Sequence, residues 1–149
     1  MTPLEKLKDL VAGQDFYQTC GMVVTHLRKT VKHYNWIGIY LIEGEDLVLS
    51  AWDGPEPTEH VRIPIGQGIC GLAARERRTV IVDDVNADPR YLACFSYTRA
   101  EIVVPIMTAD GVGVIGEIDI DSDRPAAFSD DDGVFLRDIA RLLSERFSR

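Results

Sequence analysis

The segment Val112 to Asp121 most narrowly limits what this chain can fold into. Glu117, Asp119 and Asp121 alternate with Ile118 and Ile120. A period of two places the carboxylates on one face of a strand and the isoleucines on the other. The run Ile102 to Met107 precedes it across a turn at Asp110-Gly111, so the two form neighbouring strands. Two readings of the acidic face are open. One is a solvated surface, because Asp and Glu are rarely buried unpaired. The other is an anionic wall that binds an ammonium group. Carboxylates this close repel, so one would hold its proton near neutral pH and could serve as a general acid.

The rest of the chain supplies a sheet and its cover. Leu4, Leu7, Leu10 and Val11 recur at helical spacing, and Gly13 ends that helix. A second helix is expected from Asp15 to Tyr34, with Phe16, Cys20, Val23, Val24, Leu27 and Val31 as its apolar stripe. Trp36 to Ile42, a turn at Gly44-Glu45-Asp46, and Leu47 to Trp52 read as a hairpin. Val61 to Ile65 and Thr79 to Val82 read as short strands, with a short helix from Cys70 to Arg77 between them. Asp83 to Tyr97 is a long polar connection, a length that is usually functional in a compact domain. Ser129 and Asp132 form a capping box for a closing helix, whose stripe is Phe135, Ile139, Leu142, Leu143 and Phe147. The expected fold is α+β: a mostly antiparallel sheet of about six strands with helices packed on it.

At 149 residues and 46% hydrophobic, the chain suits one domain with one core. Its 16 Lys and Arg against 24 Asp and Glu give −8, which argues against nucleic acid or an anionic membrane as partner. No apolar run approaches the roughly 18 residues of a membrane helix. The N-terminus lacks the charged-then-apolar order of a signal peptide, so a cytoplasmic protein is expected. Three cysteines without paired spacing argue against a disulfide framework, and no Cys/His cluster has zinc spacing. Neither a metal nor a cofactor is expected.

Cys94 is the candidate nucleophile. It lies in a stretch of loop composition that runs into the buried-strand pattern Ile102 to Ile106, with Glu101 seven residues on. A thiol there, with Asp119 and Asp121 on a nearby strand, suits redox chemistry on a small polar molecule. Cys70 stands at an expected helix start. There it reads either as a thiolate favoured by the helix dipole or as a small buried residue. Cys20 falls inside a helical stripe and reads as core. Trp36, Gly38 and Tyr40 share one strand face. The glycine leaves a notch between aromatic walls, or else allows a helix to approach closely. Gly66-Gln67-Gly68-Ile69-Cys70-Gly71 lacks the endings of a phosphate loop and reads as a tight turn with close packing.

Together these residues resemble one family. Asn35 to Leu41, Val61 to Gly71, Ala93-Cys94, Ala100 to Pro105 and Gly116 to Ser122 stand in the order found in GAF-domain free methionine-(R)-sulfoxide reductases. The resemblance runs from about Asp15 to the closing helix. It implies a single GAF domain over 1–149, with residues 1–34 as N-terminal helices and 35–149 as sheet core and closing helix. It implies that Cys94 is the catalytic nucleophile. Glu101, Asp119 and Asp121 would bind free methionine sulfoxide and assist protonation, with Trp36 in the pocket wall; Tyr40, on the same strand face as Trp36, joins that wall in this reading. A small cytosolic enzyme recycled by thioredoxin, often a homodimer, is also implied. One position departs from the pattern: His60 stands where the family carries its usual resolving cysteine. Cys70 could then resolve Cys94, an outside thiol could do so, or the chain could be a GAF module that binds a small ligand or senses oxidation without turnover. A loop histidine there could lower the pKa of a nearby thiol, or simply be solvated.

Overall fold

The computed structural model describes residues 1–93 and 95–147. Eight-residue α1, Pro3–Leu10, starts on Thr2, whose side chain accepts the Glu5 N–H, with proline in its first turn. Helix α2, Phe16–Thr30, starts on Asp15, whose carboxylate accepts the Gln18 N–H at 2.8 Å. It ends four residues before the expected Tyr34. Val31 turns extended (φ −116°, ψ 107°) and leads the chain into the first strand. Strands β1, Trp36–Glu43, and β2, Asp46–Asp53, form the expected hairpin, with Gly44 at φ +64° in its turn. Then follow β3, Arg62–Pro64, α3, Gly68–Glu76, and β4, Val80–Val82. Strands β5, Ala100–Met107, and β6, Val114–Ser122, lead to α4, Asp130–Arg146. Asp132 accepts the Ser129 N–H at 2.9 Å, closing the expected cap of α4.

The six strands form one antiparallel sheet in the order β3-β2-β1-β6-β5-β4. Its two faces divide the core. Ile37, Ile39, Ile102, Val104, Ile118 and Ile120 turn to one side, where α1, α2 and α4 bury them. Each such side chain removed from water contributes about 1.5–3 kcal/mol. Cys20 lies in that layer, fully buried, as expected of a core thiol. Trp36, Tyr40 and Val103 turn to the other side, beneath α3 and the segment that follows β4. No helix among the described residues is long and apolar enough to cross a membrane.

Candidate active site

The strand register builds the site on the α3 side of the sheet. Trp36 of β1 pairs with Asp121 of β6, which pairs with Glu101 of β5. One step along, Gly38 pairs with Asp119, and Asp119 with Val103. Tyr40 pairs with Glu117. Alternation therefore sets aromatic residues, three β6 carboxylates and Glu101 side by side on one face.

That acidic face is not solvated. Glu117, Asp119 and Asp121 are 0, 1 and 1% exposed, and Glu101 is 4% exposed. The solvated reading fails because β1 and β5 flank β6 and α3 roofs it, leaving the carboxylates no route to water. Among the described residues, both Glu117 oxygens, Asp119 Oδ1 and Asp121 Oδ1 make no close hydrogen bond, although the Cys70 thiol lies near enough to Glu117 and Asp119 to lower their proton affinity somewhat. Asp121 Oδ2 accepts from Thr98 Oγ1 at 3.4 Å. Buried polar atoms without partners are costly, and a row of carboxyl groups along one strand face suits a cationic ligand.

Burial sets the protonation of this cluster. It pushes Glu117 and Asp121 well above the usual carboxylate range, and the charge of Asp119 adds to both. Burial also raises Asp119, against contacts with Glu101 and Cys70. The Cys70 thiol rises well above its ordinary value, first by burial and then by the fields of Asp119, Glu117 and Glu101. Of the two readings of Cys70, the small buried residue holds and the dipole-favoured thiolate does not. Cys70 does lie in the first turn of α3, but the loss of water and three carboxylates outweigh half a helix-end charge. Sulfur and oxygen atoms of Cys70, Glu101 and Asp119 lie within 4.8 Å of one another. A cation in that donor set would compete with the protons that burial favours on Cys70 and Asp119.

The notch beside Gly38 is filled by a neighbour in its own strand, not by a helix. The Trp36 indole lies over Gly38, where an added Cβ would come within 2.4 Å of the ring. Its other edge lies against Gly54, at 2.3 Å from an added Cβ, and its Nε1–H donates to the Glu56 carbonyl at 3.2 Å. Two glycines far apart in sequence thus make the slot for one ring. Phe95 approaches Trp36 at 5.6 Å between centroids and stacks on Tyr97 at 5.2 Å, extending the wall. Across the glycine turn, an added Cβ on Gly71 would meet the Gly66 nitrogen at 2.7 Å, which bears out the close-packing reading.

His60 is not a free loop side chain. Its Nε2 lies 2.8 Å from the Ala93 carbonyl oxygen, its N–H donates to Thr58 Oγ1, and its own carbonyl accepts the Tyr40 hydroxyl at 2.8 Å. Cys94 itself lies outside the described residues. The structure thus brings Trp36, Tyr40, Cys70, Glu101, Asp119 and Asp121 to one face. Sequence reasoning left Thr98, Phe95 and Tyr97 out of the site and named Glu117 only as part of the acidic face. Glu117 was legible from its alternation with Asp119; the other three sit in a stretch with no strand or helix period. Between α3 and that stretch, Gln67, Cys70, Leu92 and Glu101 enclose about 10 Å³, at the limit for one water.

The family description "GAF domain" matches residues 15–147. The free methionine-R-sulfoxide reductase of Escherichia coli (strain K12) is 33% identical over 137 residues, covering 91% of this chain and 81% of its own. A solved free methionine-R-sulfoxide reductase from Neisseria meningitidis, in complex with its substrate, superposes with a TM-score of 0.88. It is 36% identical, with 97% of this chain and 85% of that one covered. A type II free methionine-R-sulfoxide reductase from Thermoplasma acidophilum is 39% identical with a TM-score of 0.83, covering 94% of each chain.

Proposed function

The chain belongs to the GAF family, and we propose that it reduces free methionine-(R)-sulfoxide with Cys94 as nucleophile. The observation that carries this reading is the row Trp36–Asp121–Glu101, flanked by Asp119 and Glu117. It sets buried carboxylates beside an aromatic wall. The relatives that bear this activity in their names, one of them solved with substrate, support it.

The substrate's ammonium group would complete the carboxylate oxygens that lack partners. The sulfoxide oxygen would take its proton from a carboxylic acid of the cluster, because burial keeps protons on Glu117 and Asp121 to higher pH than usual. The Cys94 thiolate attacks the sulfoxide sulfur as the oxygen is protonated: a Cys94–substrate S–S bond forms, the S–O bond breaks and the oxygen leaves as water, which then adds to the Cys94 sulfur and breaks the S–S bond. Sulfur gains two electrons and leaves as methionine; the cysteine loses two and becomes a sulfenic acid. A second thiol then condenses with it, releasing water and forming a disulfide, which thioredoxin or another dithiol reduces. Among the described residues Cys70 is the thiol beside the cluster; burial holds it protonated, which disfavours it for first attack and means it must lose that proton to resolve Cys94. No metal or cofactor enters these steps. The 10 Å³ cleft is smaller than methionine sulfoxide.

The test measures methionine formation with dithiothreitol and, separately, NADPH consumption coupled through thioredoxin and its reductase. Wild type should turn over with at least one reductant, and Cys94→Ser with neither. Equal background rates for both proteins would end the reading. His60 in place of the usual resolving cysteine favours a second reading, a GAF module that binds without turnover. A thermal shift with methionine sulfoxide and no methionine produced would select it.

A further inference from the structure

We propose that the groove between the second half of β5 and α4 binds an organic polyphosphate, that is, a di- or triphosphate carried on an apolar body. The groove encloses about 510 Å³, within the roughly 300–1,000 Å³ usual for small-molecule sites. Arg77, Arg78, Arg137 and Arg141 line it, with Glu145 as the one carboxylate among its lining residues. On a chain of net charge −8, four guanidinium groups around one concavity reverse the local charge.

Two of these arginines have anionic partners. Arg78 Nε lies 2.7 Å from Glu76, and Arg141 Nη1 lies 3.3 Å from Asp138. Arg77 and Arg137 have no carboxylate within 4.0 Å among the described residues. Arg137 Nη1 instead donates to Thr79 Oγ1 at 3.3 Å, which holds its guanidinium at the groove. Arg77 ends α3 in the left-handed region, at φ 56° and ψ 41°. Glycine would close the helix there with less strain. What arginine adds at that position is a guanidinium on the wall of the groove. Two forked cations without carboxylate partners match the paired oxygens of phosphate.

The floor defines the rest of the ligand. Strand β4 reaches only to Val80, opposite Val103, so β5 beyond that point is a sheet edge. Pro105, Met107 and Ala140 give it an apolar surface. Pro105 carries no N–H, which disfavours an acidic peptide adding there as a strand. A compact polyanion with a flat apolar part fits better. None of the candidate active-site residues lines this groove, and the proposal does not rest on the reductase reading.

Isothermal titration of the full chain with adenosine triphosphate, inorganic tripolyphosphate and an oligoglutamate peptide tests it. Adenosine triphosphate should bind saturably, and more weakly as salt rises. Arg77→Gly and Arg137→Gln should each weaken it by about tenfold, the loss of one charge-assisted contact. Arg62→Gln, on β3, should leave it unchanged. Arg77→Gly relieves backbone strain, so its melting temperature should hold or rise, which separates lost binding from lost fold. Weaker binding of tripolyphosphate supports the apolar floor; equal binding supports the anion groove with inorganic polyphosphate as the source. Three outcomes overturn the proposal: no saturable binding of either phosphate, equal weakening by Arg62→Gln, or tighter binding of oligoglutamate.

Discussion

The His60 ring nitrogen Nε2 and the Ala93 carbonyl oxygen are 2.8 Å apart, which ties the β2–β3 connection to the residue just before Cys94. At that distance Nε2 carries the proton and donates it. Where the resemblance would place a resolving thiol, this chain has a hydrogen-bond donor that fixes the neighbouring backbone.

His60→Ala should therefore slow methionine formation with dithiothreitol by about fivefold, the worth of one ordinary hydrogen bond. The ties to Thr58 and Tyr40 use the main chain of residue 60 and should survive. Melting temperature should change little. An unchanged kcat would show that the Ala93 contact does not position the reacting segment.

Glu117→Gln should change how stability depends on pH. The native carboxyl titrates well above its ordinary value because it is buried beside Asp119. Between the unfolded value, about 4.3, and that raised native value, the folded chain holds the extra proton. Stability from this group is therefore complete below about pH 4.3. It falls as pH rises through the native value, by about 1.4 kcal/mol per pH unit. The variant should lose less stability than wild type between about pH 5 and pH 8 and melt higher at the upper end. Parallel melting curves across that range would contradict the assigned protonation.

Gly38→Ala would put a methyl group 2.4 Å from the Trp36 ring, whose rigid indole is held against Gly54 on its other side. Overpacking of this kind costs about 1–3 kcal/mol. At about 2–4 °C per kcal/mol the melting temperature should drop by several degrees. KM for methionine sulfoxide should rise with it, because Trp36 walls the candidate pocket. A variant that melts like wild type would mean the indole has another place to go.

Cys20 and Cys70 should resist alkylation in the folded protein. Burial, with Asp15 nearby, pushes Cys20 up to about 12 from 9.0, three pH units and roughly a thousandfold less thiolate. Burial and three carboxylates raise Cys70 in the same direction. Mass spectrometry after brief iodoacetamide treatment near neutral pH should find both unmodified until denaturant is added. Rapid native labelling of Cys70 would show that α3 opens readily and would widen its role beyond resolving.

Local chemistry in the sequence was enough for the elements. The Glu117–Asp121 alternation, the Gly44 turn, the Asp15 and Ser129 caps and the stripe through Cys20 depend on neighbours within a few residues. Each stands where its pattern placed it. From those elements the α+β class followed. The α2 terminus did not, because Val31 leaves the helix to feed a strand whose position is set by the sheet.

The character of the site was decided by tertiary structure. Alternation alone cannot say whether an acidic face meets water. That depended on β6 lying between β1 and β5 under α3, which stripped water from Glu117, Asp119 and Asp121 and raised their proton affinity. The same burial decided between the two readings of Cys70, in favour of a small buried, protonated thiol. The slot for Trp36 needed Gly54 from another strand's end, and the tie from His60 to Ala93 spans 33 residues. Sequence supplied the groups and their spacing. Desolvation and long-range contact, which exist only once the chain is folded, determined what those groups can do.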